Sequence, residues 1–145
     1  MSFKILGINH VGLAPRDPAL ARRFLADLLR LPFVGEELVA EQKTNTIMFD
    51  STATPPGASS VPRLEILENQ PGTEGPIAKF LARKGSGIHH VALSVDNVAA
   101  AIAALTKAGV KLVDSTPRNG AHNTAVAFIH PDATGGLLIE LVEQK

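Results

Sequence analysis

The chain has 145 residues, 45% of them hydrophobic and 19% charged, enough to enclose one core or two small cores that share an interface. Lys plus Arg and Asp plus Glu number 14 each, so the formal net charge is zero and no net electrostatic pull toward nucleic acid or an anionic membrane is expected. Cysteine is absent, which excludes disulfides, thiolate metal sites and cysteine nucleophiles together and leaves any metal to His and carboxylates.

Residues 4–13 read as a strand. Asp17 then suits a helix N-cap and Pro18 the first helical position. Leu20, Phe24 and Leu28, with Ala21 and Leu25 beside them, fall at the three- and four-residue intervals of one apolar stripe, and Leu31-Pro32 ends the helix. Phe33 to Val39 and Asn45 to Phe49 follow as two strands. Ser51 to Pro62 is rich in Ser, Thr, Pro and Gly and longer than a typical connection, so it reads as a binding loop or a tolerated surface insertion. Arg63 to Glu68 is a fourth strand, and Pro76 to Lys84 a short linker helix closed by Gly85-Ser86-Gly87. Ile88 to Val95 is again a strand. Asp96-Asn97 caps a helix with Val98, Ile102 and Leu105 on one side, and Gly109 stops it. Short strands follow near Val110 to Val113, Ala125 to Ile129 and Leu137 to Val142. Each half thus reads strand, helix, three strands. The expected fold class is α+β, one domain of two modules at about 1–70 and 86–145 joined by a linker helix at about 75–84.

The halves also repeat in sequence. Asn9-His10-Val11-Gly12-Leu13 returns as His89-His90-Val91-Ala92-Leu93, and Leu64-Glu65-Ile66-Leu67 as Ile139-Glu140-Leu141-Val142. Strand side chains alternate between faces, so if Val11 and Leu13 meet the first helix, His10 lies on the opposite face. The same parity puts Val91, Leu93 and Val95 against the second helix and makes His90, not His89, the equivalent of His10. Glu65 and Glu140 each project alone from an apolar strand. An ionised carboxylate in such a place costs several kcal/mol unless paired or bound to a cation. Taken singly, each residue has a plainer reading: a hydrogen-bonded core His, Glu65 paired with Arg63 or Lys4, Glu140 solvated at an edge. Recurrence of both residue types with the same parity favours instead a divalent cation held by nitrogen and oxygen, with cobalt, nickel, manganese or zinc as candidates and two coordination positions left for a bidentate guest. His122 and His130 have no repeat partner, and His89 is expected to pack or hydrogen-bond.

At these residues the chain resembles the vicinal oxygen chelate superfamily, and within it the methylmalonyl-CoA epimerases. The resemblance covers nearly the whole length and is most specific in Ile8-Asn9-His10-Val11-Gly12-Leu13, in Gly75-Pro76-Ile77-Ala78-Lys79-Phe80-Leu81, in Gly120-Ala121-His122 and in Phe128-Ile129-His130-Pro131. It implies paired βαβββ modules whose eight strands form a curved mixed sheet around one metal ion per chain, with His10, Glu65, His90 and Glu140 as ligands. It further implies a homodimer that interconverts the C2 epimers of methylmalonyl-CoA, an isomerase reaction in which a proton is removed next to the thioester through a metal-stabilised enolate. Some relatives have Gln at the position of Glu65. Some carry a second catalytic Glu shortly after a Glu-Gln dipeptide; here the dipeptide is Glu41-Gln42 and the later position is Thr46. Glu140 and Glu65 are then the expected bases. Lys79 and Arg118, with His122 in the Gly-Ala-His phrase, are the expected contacts of the acyl-CoA. The alternatives are a glyoxalase I, which shares the two-Glu arrangement, and a metal-free small-molecule binding or resistance protein; an extradiol dioxygenase would leave the fourth ligand surplus. No partner nucleic acid or membrane is expected. The opening Met1-Ser2-Phe3-Lys4-Ile5-Leu6 lacks a signal-peptide apolar run, so the expected location is cytoplasmic.

Overall fold

A computed structural model describes residues 2–52 and 62–145. The bulk of the loop read at Ser51 to Pro62 lies outside the described residues. The eight strands come in two sets of four, β2-β3-β4-β1 and β5-β8-β7-β6, with parallel and antiparallel pairs in each, so the fold is α+β and each half follows the strand, helix, three-strand order. By contact the chain divides into His10–His89 and a second unit made of Met1–Asn9 with His90–Lys145. The first residues join the second unit because Phe3 packs on its core, the Lys4 amide donates to Asp96 Oδ1 and the Asn9 amide group donates to Ser94 Oγ. No helix is long and apolar enough to cross a membrane among the described residues.

In the unit of residues 10–89, β1 (Ile5–Ala14) runs parallel to β4 (Arg63–Asn69), while β2 (Phe33–Val39), β3 (Thr44–Asp50) and β4 pair antiparallel. Helix α1 (Pro18–Arg23) begins as its sequence dictates: the Asp17 carboxylate accepts from the Leu20 amide at 3.0 Å and Pro18 takes the first turn. It ends in a wider π-helical turn over Phe24–Leu28, with the Leu29 amide bonded to the Phe24 carbonyl. The apolar stripe divides there. Ala21 and Leu25 pack on Ile47, Phe49 and Ile66, whereas Leu20, Phe24 and Leu28 stand exposed. Helix α2 (Pro76–Lys84) lays Ile77 and Phe80 on Ala14 and Leu67. Asn69 prepares its start: Oδ1 accepts from the Gly75 and Ala78 amides, and Nδ2 donates to the Gln70 and Thr73 carbonyls. A Cβ at Gly75 would lie 2.8 Å from Asn69 Oδ1, so that position suits only glycine.

In the other unit, β5 (Gly87–Val95) runs parallel to β8 (Ile139–Gln144), and β8, β7 (Thr124–Ile129) and β6 (Arg118–Gly120) pair antiparallel. Helix α3 (Val98–Lys107) is capped by Asn97, whose Oδ1 accepts from the Ala100 amide, and Glu143 reaches back to accept from the Val98 amide. Val98, Ala101 and Ile102 pack on Val95, Ala125, Ala127 and Leu141, and Gly109 ends the helix with φ +79°. The strand expected at Val110 to Val113 does not form: only Leu112 bridges to Ile129, and the strand beside β7 is β6. The interruption has its cause just beyond the segment. Pro117 has no N–H to give to a ladder, and the Asp114 carboxylate takes over by accepting from the Phe128 amide at 2.8 Å. β8 starts at Ile139 rather than Leu137, since Gly135 and Gly136 turn the chain with positive φ just before it.

Candidate metal and substrate site

Helix α1 takes Ile66 and Leu64, so Glu65 and Leu67 occupy the other face of β4. His10, Gly12 and Ala14 are the buried positions of β1, with the parity expected of His10. His10 and Glu65 are each only 5% exposed, and His10 Nε2 lies 3.6 Å from Glu65 Oε2. Arg63, one of the two partners the sequence offered for Glu65, pairs with Asp50, at 3.0 Å from Nε to Oδ1.

The second unit builds the same pair. Leu93 and Val95 face α3, which leaves His90 and Ala92 on the far side. In register, Ala92 lies opposite Glu140 and Glu140 opposite Phe128. His90 Nε2 and Glu140 Oε2 are 2.9 Å apart, with exposures of 5% and 6%. The Phe128 ring meets His90 edge-on at 5.8 Å and belongs to a cluster with Ala92, Val126 and Val142. The Arg118 guanidinium sits 5.2 Å above that ring and is fixed by Asp114, 2.9 Å from its Nε.

Each His thus faces a carboxylate through Nε2 in a buried setting, where an unshared carboxylate would be costly. His10 with Glu65, and His90 with Glu140, each have the buried nitrogen and oxygen donors of metal ligands. An N and O donor set without sulfur fits a borderline or hard divalent cation.

The remaining sequence candidates have more varied surroundings. Lys79 is exposed on α2. His122 occupies a turn between β6 and β7 at φ +56°, its carbonyl accepting from Gln144. His89 packs edge-on against Phe80 at 4.9 Å, and His130 Nδ1 accepts from the Asp132 amide, closing the short turn Pro131–Ala133. Thr46 is buried on β3 with its hydroxyl donating to the Glu37 carbonyl at 3.0 Å. Sequence reasoning missed Asp50 and Asp114, the carboxylates that hold Arg63 and Arg118. The parity of β3 was the available signal: Thr44, Thr46, Met48 and Asp50 share one face, and all four are buried.

Residues 9–128 match the model of the Glyoxalase/Bleomycin resistance protein/Dioxygenase superfamily, and the chain belongs to that superfamily. It is 37% identical over 138 residues to the uncharacterized protein YqjC of Bacillus subtilis, covering 95% of this chain and 92% of the relative. It is 39% identical over 141 residues to an ethylmalonyl-CoA/methylmalonyl-CoA epimerase of Cereibacter sphaeroides, covering 92% and 95%. Among solved structures, methylmalonyl-CoA epimerase from Mycobacterium tuberculosis superposes with a TM-score of 0.85 at 34% identity, covering 97% of this chain and 89% of that one.

Proposed function

We propose that this chain is a metal-dependent methylmalonyl-CoA epimerase, or an epimerase of a closely similar 2-carboxyacyl thioester. The observation that carries the reading is the buried His–Glu pair that recurs on the sheet face turned away from α1 and on the one turned away from α3, in a chain whose relatives include named epimerases. His10, Glu65, His90 and Glu140 would together hold one divalent cation per chain. When bound, such a cation supplies Lewis acidity toward the thioester oxygen and lowers the cost of the charge that develops there.

The protein groups do the rest. C2 lies between a thioester and a carboxylate, and inversion requires a proton to leave one side and return on the other. Glu65 and Glu140 are the two carboxylates available for this, each contributing about 10²- to 10⁴-fold by general acid–base catalysis. Thr46, with its hydroxyl engaged by the Glu37 carbonyl, is no base. Phe128, Val126 and Ala92 line the approach to His90 with apolar surface and exclude water there. The CoA portion would meet Lys79, Arg118 and His122. Exposed Leu20, Phe24 and Leu28 give a second copy of the chain an apolar stripe to cover, in keeping with a homodimer; we take the compartment to be the cytoplasm.

The test is proton NMR on single-epimer methylmalonyl-CoA in heavy water. Deuterium should enter C2 as the second epimer appears, stop after chelation and resume on metal addition. Turnover of methylglyoxal plus glutathione with no exchange at C2 would overturn the proposal in favour of a glyoxalase.

A further inference from the structure

The proposed chemistry leaves one ion pair beside the His10–Glu65 pair unused. His10 lies opposite Arg63 in the β1–β4 pairing, and Arg63 lies opposite Asp50 in the β4–β3 pairing. Directly opposed residues share a sheet face, so His10, Arg63 and Asp50 form one row and Gly12, Glu65 and Met48 the next. Arg63 Nε donates to Asp50 Oδ1 at 3.0 Å, while Nη1 reaches Met48 Sδ at 3.7 Å. The guanidinium therefore leans from its own row toward that of Glu65. Asp50 is 1% exposed at its side chain and Arg63 27%, so a buried carboxylate anchors one edge of the fork while the other edge stays reachable. Arg63 has five N–H donors, and a thioether is a weak acceptor.

A buried ion pair adds little net stability over an apolar pair of similar volume, so structural strength is a poor account of this one. A planar fork held by its Nε edge instead suits bidentate recognition of a carboxylate. We propose that Arg63, oriented by Asp50, recognises the free carboxylate of the substrate and so selects 2-carboxyacyl thioesters over plain acyl thioesters. The inference rests on the substrate reading above. The carboxylate is favoured over the CoA phosphates because Arg63 stands beside the row of Glu65, where the acyl group reacts, and the pantetheine arm carries the phosphates away.

Calorimetric titration of the full-length chain with malonyl-CoA and acetyl-CoA isolates the carboxylate, the only difference between the two ligands. The unaltered chain should prefer malonyl-CoA, and Arg63→Gln should cut that preference about tenfold or more with acetyl-CoA affinity unchanged. Arg63→Lys, which keeps a point charge without the fork, should fall between. Because Arg63→Gln leaves Asp50 buried beside an uncharged side chain, the double variant Asp50→Asn with Arg63→Gln repeats the measurement with no buried charge, its fold checked by circular dichroism. A preference for malonyl-CoA that survives in the double variant overturns the inference while leaving the epimerase reading intact. Equal losses for both ligands would move Arg63 to the CoA phosphates and overturn it as well. An unaltered chain with no preference at all sinks the substrate reading itself, and the inference with it.

Discussion

The two modules hold the same His–Glu pair in unlike surroundings. Around Glu65 the neighbouring strand contributes Met48, Thr46 and Asp50, with Arg63 bound to the last; around Glu140 it contributes Phe128 and Val126, packed with Ala92 and Val142. The register makes Met48 the counterpart of Phe128, Thr46 that of Val126 and Glu37 that of Arg118. One face is therefore polar and charged, the other apolar with a single Arg stacked at its margin. A duplicated fold fixes the strand positions that project onto one face, and so places a His and a Glu twice. It leaves their neighbours free to differ, one face reading as a recognition surface and the other as a dry wall.

The contrast is most strained by removing the acids. Glu140→Gln and Glu65→Gln are each expected to lower C2–H exchange about 10²- to 10⁴-fold, and to do so unequally for the two substrate epimers. Deuterium incorporation followed from each epimer separately measures this; undiminished exchange in either variant would remove that residue from the chemistry.

A stability effect comes next. Phe128→Ala empties the apolar wall and should destabilise by about 3–5 kcal/mol, read from the denaturant midpoint. Met48→Ala, at the matching place on the polar face, should cost no more than the lower end of about 2–5 kcal/mol, since Arg63 already borders it. Equal losses would erase the proposed distinction between the faces.

Asn69→Ala removes the acceptor for two amides at the start of α2 and should cost about 1–2 kcal/mol in thermal or urea unfolding. Asn69 and the amides it caps all belong to the unit of residues 10–89, so this change should leave the surroundings of His90, followed by its ring NMR signals, unaltered.

The smallest effect concerns Glu36, whose pKa is lowered by the hydrogen bond from Asn45 and by the nearby Arg22 guanidinium, against a partial opposing effect of burial. A depressed folded-state pKa contributes stability above the ordinary carboxylate value, and that contribution is lost as pH falls through the depressed one. Glu36→Gln should therefore lower the unfolding free energy slightly at pH 7, by less than about 1 kcal/mol for so exposed a pair, with the gap in melting temperature closing in acid.

Much of this was legible in the chain. Asp17-Pro18 announced α1, Pro76 and Gly85 bracketed α2, and Asn97 and Gly109 bounded α3, because caps and breakers act through their own backbone and near neighbours. The parity of His10, Glu65, His90 and Glu140 was equally local, since alternation along a strand needs no partner to be read. The split apolar stripe of α1 was not: Leu20, Phe24 and Leu28 have the same spacing as a buried stripe, and only the position of β3 and β4 selects Ala21 and Leu25 instead. The missing strand at Val110 to Val113 depended on Asp114 finding the Phe128 amide, a contact between residues 14 apart.

The sequence by itself determined the duplicated order of elements, the absence of sulfur ligands and the strand face of each His and Glu, because periodicity, capping and composition are properties of short stretches of chain. Tertiary structure alone decided which carboxylate each Arg and each His would meet. Arg63 went to Asp50 rather than Glu65, Arg118 to Asp114, and each His to its own Glu. Strand register sets those pairings, and register is fixed by how whole faces bury together.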